Sequence, residues 1–148
     1  MQNKSSVAVG ISGGIDSAMT AYLLKEQGYR VMGLTMKTWD ENTEMGKTVK
    51  SGCFGPGQEE SIISAAHLCQ KMGIEHYVIS LEREFQQNVM DYFCRTYIQG
   101  KTPNPCLVCN AKLKFALLPE KAKAMGLEFD YFATGHYAKI GFNNTLKR

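Results

Sequence analysis

Apolar and polar positions fall into two alternating patterns along this chain. Short apolar runs over Val7 to Ser12, Arg30 to Met36, Glu75 to Ser80 and Phe129 to Thr134 read as buried strands. Between them, apolar residues recur at helical spacing. Asp16 to Gln27 reads as a helix stopped by Gly28, and Gln58 to Met72 as one ending at Gly73. Glu82 to Ile98 follows the same pattern, as does Lys112 to Met125, which stops at Gly126 with a break expected at Pro119. Lys37 to Gly57 is a polar, glycine-containing loop too long for a mere connector. Gln99 to Asn110 is a second loop. This β-α-β-α order predicts an α/β, Rossmann-like fold, with a mostly parallel sheet and helices on both faces.

In such sheets ligands bind outside the carboxyl ends of the strands. Ser12 to Ser17 follow the first strand, Met36 and Lys37 end the second, and Gly135 and His136 follow the last. These groups should meet on one rim.

The first of them carries the sharpest chemistry. Ser12-Gly13-Gly14-Ile15-Asp16-Ser17 is a glycine turn between a strand and a helix. Such a turn offers backbone N–H groups at the positive end of a helix and can hold phosphate. Neither the G-x-x-x-x-G-K-[ST] spelling nor G-x-G-x-x-G is present. A plain N-capped helix start accounts for one capping residue. It leaves the paired glycines, serines and aspartate without a reason.

Composition narrows the setting. The chain has 148 residues, 44% hydrophobic and 21% charged, with a net charge of +3. That length suits one domain with a real core. The mild positive charge permits nucleic-acid binding without arguing for it. No apolar run approaches the roughly 18 residues of a membrane span, and the N-terminus lacks a signal-peptide pattern. A cytoplasmic protein is expected, with no membrane partner.

Cysteines in that compartment are reduced thiols, metal ligands or catalysts. Cys69 and Cys94 fall within helical patterns and read as packing residues. Cys53, Cys106 and Cys109 fall in glycine- or proline-rich loops and are the candidates for chemistry. Cys106-Leu107-Val108-Cys109 suits a redox pair, half of a zinc site or part of an iron–sulfur site. No second Cys-x-x-Cys or histidine pair completes a four-ligand zinc site. Cys109 precedes the helix expected near Ala111, whose N-terminus, with Lys112 and Lys114, would stabilise a thiolate.

Ser12 to Ser17 resemble the pyrophosphate loop of ATP pyrophosphatases, which split ATP to AMP and pyrophosphate. More of the chain resembles bacterial tRNA-specific 2-thiouridylases within that superfamily. The matching blocks are Gly10 to Ser17, Gly33 to Lys37, Gly73-Ile74 with His76-Tyr77, Thr102 to Asn110 with Lys114-Phe115, and Ala133 to Tyr137. The resemblance implies an adenine nucleotide alpha hydrolase-like sheet and a sulfurtransferase that makes 2-thiouridine at the tRNA wobble position. It implies ATP and Mg2+ as cofactors, tRNA as substrate, and a desulfurase or persulfide relay as sulfur donor. ATP contacts carry over to Gly10, Ile11, Ser12, Gly13, Gly14, Ile15, Asp16, Ser17, Met36 and Gly135. Cys109 matches the nucleophile, with Cys106 beside it. Asn104, Pro105 and Cys106 match the contact to the target base.

Two departures qualify the match. Many members have Asp where this chain has Cys106. The Cys-x-x-Cys version is similar to sulfur transferases that use a 4Fe-4S iron–sulfur cluster, for which Cys53, Cys106 and Cys109 are the candidate ligands. The family also continues past Arg148 with tRNA-contacting and β-barrel segments. An N-terminal ATP-binding part of a longer protein is therefore expected, the alternatives being a short relative with changed function or a non-catalytic ATP-binding module; in isolation it should bind ATP better than it turns tRNA over.

Overall fold

Every apolar run foreseen above forms a strand, and the strands lie side by side. The computed structural model describes residues 5–40, 54–55, 57–140 and 146–147. Strands β1 (Ser6–Gly10), β2 (Arg30–Lys37), β3 (Glu75–Ser80) and β4 (Tyr131–Thr134) make one parallel sheet in the order β3-β2-β1-β4. Short strands β5 (Lys139–Ile140) and β6 (Leu146–Lys147) pair antiparallel, apart from that sheet.

Successive strand residues point to opposite faces, and each face has its own helical cover. Val7, Val9 and Ile11 pack with Ala21 of helix α1 (Ile15–Glu26) and with Ala65 and Cys69 of α2 (Gln58–Met72). Ala8, Met32, Leu34 and Ile79 point to the other face. There they meet helix α3, residues 82–98, through Phe85 and Val89, and helix α4, residues 105–124, through Leu113, Leu118 and Ala122. Leu34, Leu81, Leu113 and Leu118 are almost fully buried. Burial stabilises each by about 2 kcal/mol.

Helices α3 and α4 are not uniform. In α3, Gln86–Met90 is wound as π-helix between α-helical Glu82–Phe85 and Asp91–Ile98. In α4, Cys109–Leu117 is π-wound between Pro105–Val108 and Leu118–Ala124. The expected start of this helix near Lys112 is therefore corrected to Pro105. Two prolines suggested an extended loop, but Pro105 occupies the first helical turn, where a missing N–H costs nothing. Asn104 caps that turn, its Oδ1 accepting the Leu107 N–H at 3.1 Å. The break expected at Pro119 is absent too. Pro119 sits in the first turn of the closing α-helical stretch, directly after the π winding ends.

The part of the Lys37 to Gly57 loop within the described residues is well anchored. Gln58, buried at the start of α2, accepts the N–H groups of Thr38 and Trp39 at 2.8 and 2.9 Å and donates to Thr38 Oγ1 at 2.8 Å. Phe54 stands edge-on to Trp39 and stacks on Phe85. Cys53 lies outside the described residues.

Candidate functional site

The strand order reverses direction at β1. From β1 the chain steps outward to β2 and β3, then returns to place β4 on the other side of β1. A crevice opens at the carboxyl end of such a switch point. Here the register sets Gly10 beside both Leu34 and Thr134. A cleft of about 330 Å³ lies at that end, and it gathers members of all three groups expected on one rim, except that Lys37 does not line it and pairs with Glu82 at 3.1 Å. Gly10, Ile11, Ser12, Asp16 and Ser17 line it from β1 and the start of α1. Thr35 and Met36 line it from β2, and Thr134, Gly135 and His136 from the end of β4.

Ser17 organises the glycine turn from inside. Its buried hydroxyl donates to the Gly14 carbonyl at 2.9 Å and accepts the Ser12 N–H at 3.3 Å. Helix α1 then begins after Gly14, and no side-chain cap takes the N–H groups of its first turn. Gly13 has φ +82°, and a Cβ there would lie 2.9 Å from the Ser61 carbonyl oxygen of α2. Both its conformation and its space require glycine. Gly135 meets α1 just as closely. A Cβ on it would lie 2.7 Å from the Ser17 nitrogen and 2.8 Å from the Asp16 carbonyl carbon.

A buried relay holds the entrance to the turn. Thr35 Oγ1 donates to the Ile11 carbonyl at 2.8 Å. Its one hydrogen is thereby used, so the 2.8 Å contact with His76 Nε2 requires an N–H on that nitrogen. Burial lowers the His76 pKa below its ordinary 6.5. The parallel register of β2 with β3 brings His76 to Thr35, a meeting that no local sequence pattern shows.

Asp16 is exposed in the first turn of α1, and the Tyr137 hydroxyl donates to its Oδ1 at 2.8 Å. That bond raises the Tyr137 pKa, since it favours the protonated phenol. His136 Nδ1 and Thr134 Oγ1 are 2.8 Å apart, and the His136 ring lies 5.3 Å from that of Phe115. Asp16 makes no helix cap, contrary to the simplest structural role open to it. One carboxylate with an open oxygen beside a phosphate-type loop suits Mg2+, which takes few protein ligands and fills its shell with phosphate oxygens and water.

The cysteine segment lies on α4, not in a loop. Cys106 is exposed in the first helical turn; Cys109 is half-buried at the start of the π winding and packs against the core beneath α4. The favourable field of a helix N-terminus acts within its first turn, so it reaches Cys106 rather than Cys109. Neither thiol lines the cleft, and neither do Asn104 and Pro105. Gly13, Gly14 and Ile15 shape the glycine turn without lining the cleft, Ile15 being 85% exposed. No group of three metal-ligating side chains occurs among the described residues. Burial pushes the Cys69 thiol up to about 11, in keeping with a packing role.

Lys114 also lines the cleft, together with Leu118 of the same helix and Gln58, Ser61 and Ile62 of α2. The sequence reading attached Lys114 to the Cys109 thiolate. Its place in the cleft follows from helix winding and packing, for which apolar periodicity gives no signal. No helix among the described residues is long and apolar enough to cross a membrane.

Comparison with known proteins places the chain in a family and supports its fold. Residues 5–148 match the family described as tRNA methyl transferase HUP domain. A curated relative, the tRNA-specific 2-thiouridylase MnmA of Endomicrobium trichonymphae, is 45% identical over 98% of this chain and 40% of its own length. The protein of the same name from Clostridium perfringens is 49% identical over 93% of this chain and 36% of its own length. The chain thus spans about two fifths of the curated relatives it matches. Among solved structures, a predicted subunit of tRNA methyltransferase from Methanocaldococcus jannaschii aligns with a TM-score of 0.53 at 19% identity, over 95% of this chain and 60% of that one. That likeness supports the fold.

Proposed function

The chain belongs to the tRNA methyl transferase HUP domain family, and from that premise we propose that it is the ATP-binding part of a tRNA 2-thiouridylase. The observation that carries the reading is the cleft at the switch point, where Ser12, Asp16 and Ser17 of the glycine turn, Met36 and Gly135 face one space. Phosphates fit the turn; the base and ribose fit toward Met36 and Gly135.

The chemistry is ATP-dependent sulfur transfer to the wobble uridine of tRNA. The C2 carbonyl oxygen of uracil attacks the α-phosphorus of ATP, the bond to the β-phosphate breaks, and pyrophosphate leaves with the electron pair. The outer sulfur of a cysteine persulfide then attacks C2, and AMP departs with the former carbonyl oxygen. A second cysteine thiolate attacks the inner sulfur, so that the S–S bond breaks, its electron pair stays on the 2-thiouridine sulfur and the two cysteines are left as a disulfide. The target base must leave its stack to meet both groups. Backbone N–H groups at the start of α1 stabilise charge on the phosphates. Asp16 would hold Mg2+, which would supply further neutralisation of the phosphate charge.

Cys109 is the nucleophile in this reading, Cys106 its neighbour, and Asn104, Pro105 and Cys106 meet the base. The exposed, capped start of α4 supports a contact surface there. Sulfur arrives from a donor protein as persulfide. In the complete enzyme, Cys109→Ser should keep Mg-ATP binding and lose thiolation of unmodified tRNA. Wild-type levels of thiolated tRNA from that variant would remove Cys109 from the mechanism. Anaerobic purification with iron and sulfide analysis separates the persulfide route from one using a cluster on Cys53, Cys106 and Cys109. Iron-free protein with full activity excludes the cluster.

A further inference from the structure

We propose that Lys114 is the cation that binds the pyrophosphate end of the nucleotide, an assignment that rests on reading the cleft as an ATP site. Asp16 and Lys114 are the permanently charged side chains lining the cleft among the described residues. The described ion pairs, Lys37 with Glu82 and Lys121 with Glu84, do not involve Lys114. Lys114, half-buried as a residue, therefore lines the cleft with no carboxylate pairing it among the described ion pairs.

The two sides of the cleft come from helices on opposite faces of the sheet. Helix α1 packs through Ala21 on one face, and α4 packs through Leu113 and Leu118 on the other. The winding of α4 supports this placement. Residues five apart would sit about 140° from one another on an α-helix. With i→i+5 bonding over Cys109–Leu117, Leu113 and Leu118 both remain in the core. Lys114, one residue beyond Leu113, reaches the rim of that core where the cleft begins.

Charge balance explains why a cation belongs there. The turn offers N–H groups and the partial positive end of α1, but Asp16 adds a full negative charge. A polyphosphate brings several more. Lysine meets phosphate as a point charge and needs no fixed fork geometry. Charge accumulates on pyrophosphate as its bond to the α-phosphate breaks, so the attraction of Lys114 strengthens along the reaction.

Isothermal titration of this chain with ATP, AMP and pyrophosphate in Mg2+ tests the assignment. Lys114→Met should weaken ATP and pyrophosphate roughly tenfold or more and leave AMP within about twofold, AMP binding also serving as the folding control. Lys114→Arg should restore much of the loss, and Lys71→Met, at an exposed position in the last turn of α2 that does not line the cleft, should match wild type. Unchanged ATP and pyrophosphate binding by Lys114→Met overturns the proposal, as does an equal loss for ATP and AMP. A wild-type chain that binds none of the three overturns the ATP reading itself, and the role of Lys114 with it.

Discussion

The Tyr137 hydroxyl donates to Asp16 Oδ1 at 2.8 Å and so ties the segment after β4 to the first turn of α1. Asp16 is the acidic side chain of the cleft, and Tyr137 occupies one of its two oxygens while its own side is 88% exposed. Tyr137→Phe frees that oxygen. The expected outcome is a few-fold lower Mg2+ requirement for ATP binding with an unchanged melting temperature, read by titrating Mg2+ at fixed ATP. A higher Mg2+ requirement would mean that the bond orients Asp16 rather than competing for it.

Gly135 tests the close approach of β4 and α1. A Cβ there runs into backbone at Ser17 and Asp16, which cannot swing aside as a side-chain tip can. Gly135→Ala should destabilise the chain by about 1–3 kcal/mol, the usual range for overpacking. It should also weaken ATP binding, because the displaced backbone is the turn that offers the N–H groups. Denaturant unfolding and nucleotide titration measure the two effects separately.

His76 predicts a pH dependence. Its folded pKa lies below the ordinary 6.5, so the unfolded chain binds the proton more readily. Stability is therefore complete above about 6.5 and declines as pH falls toward the folded value. His76→Gln retains an N–H donor for Thr35 and removes the titration. Its unfolding midpoint should lose the decline on the acid side of 6.5 that wild type shows. Identical pH profiles would assign that decline to other groups.

Thiol reactivity should separate the cysteines. Cys69 is fully buried under Gly33, and its pKa is pushed up to about 11. Cys94 and Cys106 are exposed, so the packing role expected of Cys94 is corrected: it lies on the solvent side of α3. Alkylation at pH 8 followed by peptide mass spectrometry should label Cys94 and Cys106 first and Cys69 only on unfolding. Early labelling of Cys69 would contradict its place between α2 and the sheet.

These residues also mark what the sequence made legible. The first strand, glycine turn and helix were readable because an apolar run, Gly13 and Gly14, and a helical apolar period follow one another directly. The bounds of α2 and β3 were readable for the same reason, each closed by a glycine or polar residue. The start of α4 was misread because Pro103 and Pro105 look like loop residues until Asn104 is seen capping the turn. The π winding leaves no separate mark in apolar spacing, so the cleft position of Lys114 stayed hidden. Thr35 and His76 meet across neighbouring strands, and only the register of β2 with β3 brings them together.

The central claim is that ATP occupies the cleft at the switch point. Amide chemical-shift mapping of this chain on addition of Mg-ATP tests it most directly. The largest shifts should fall on Ser12 to Ser17, Met36 and Gly135. Shifts concentrated instead around Arg30, Lys123 and Asp130, which line a separate hollow by the amino end of β1, would contradict the account.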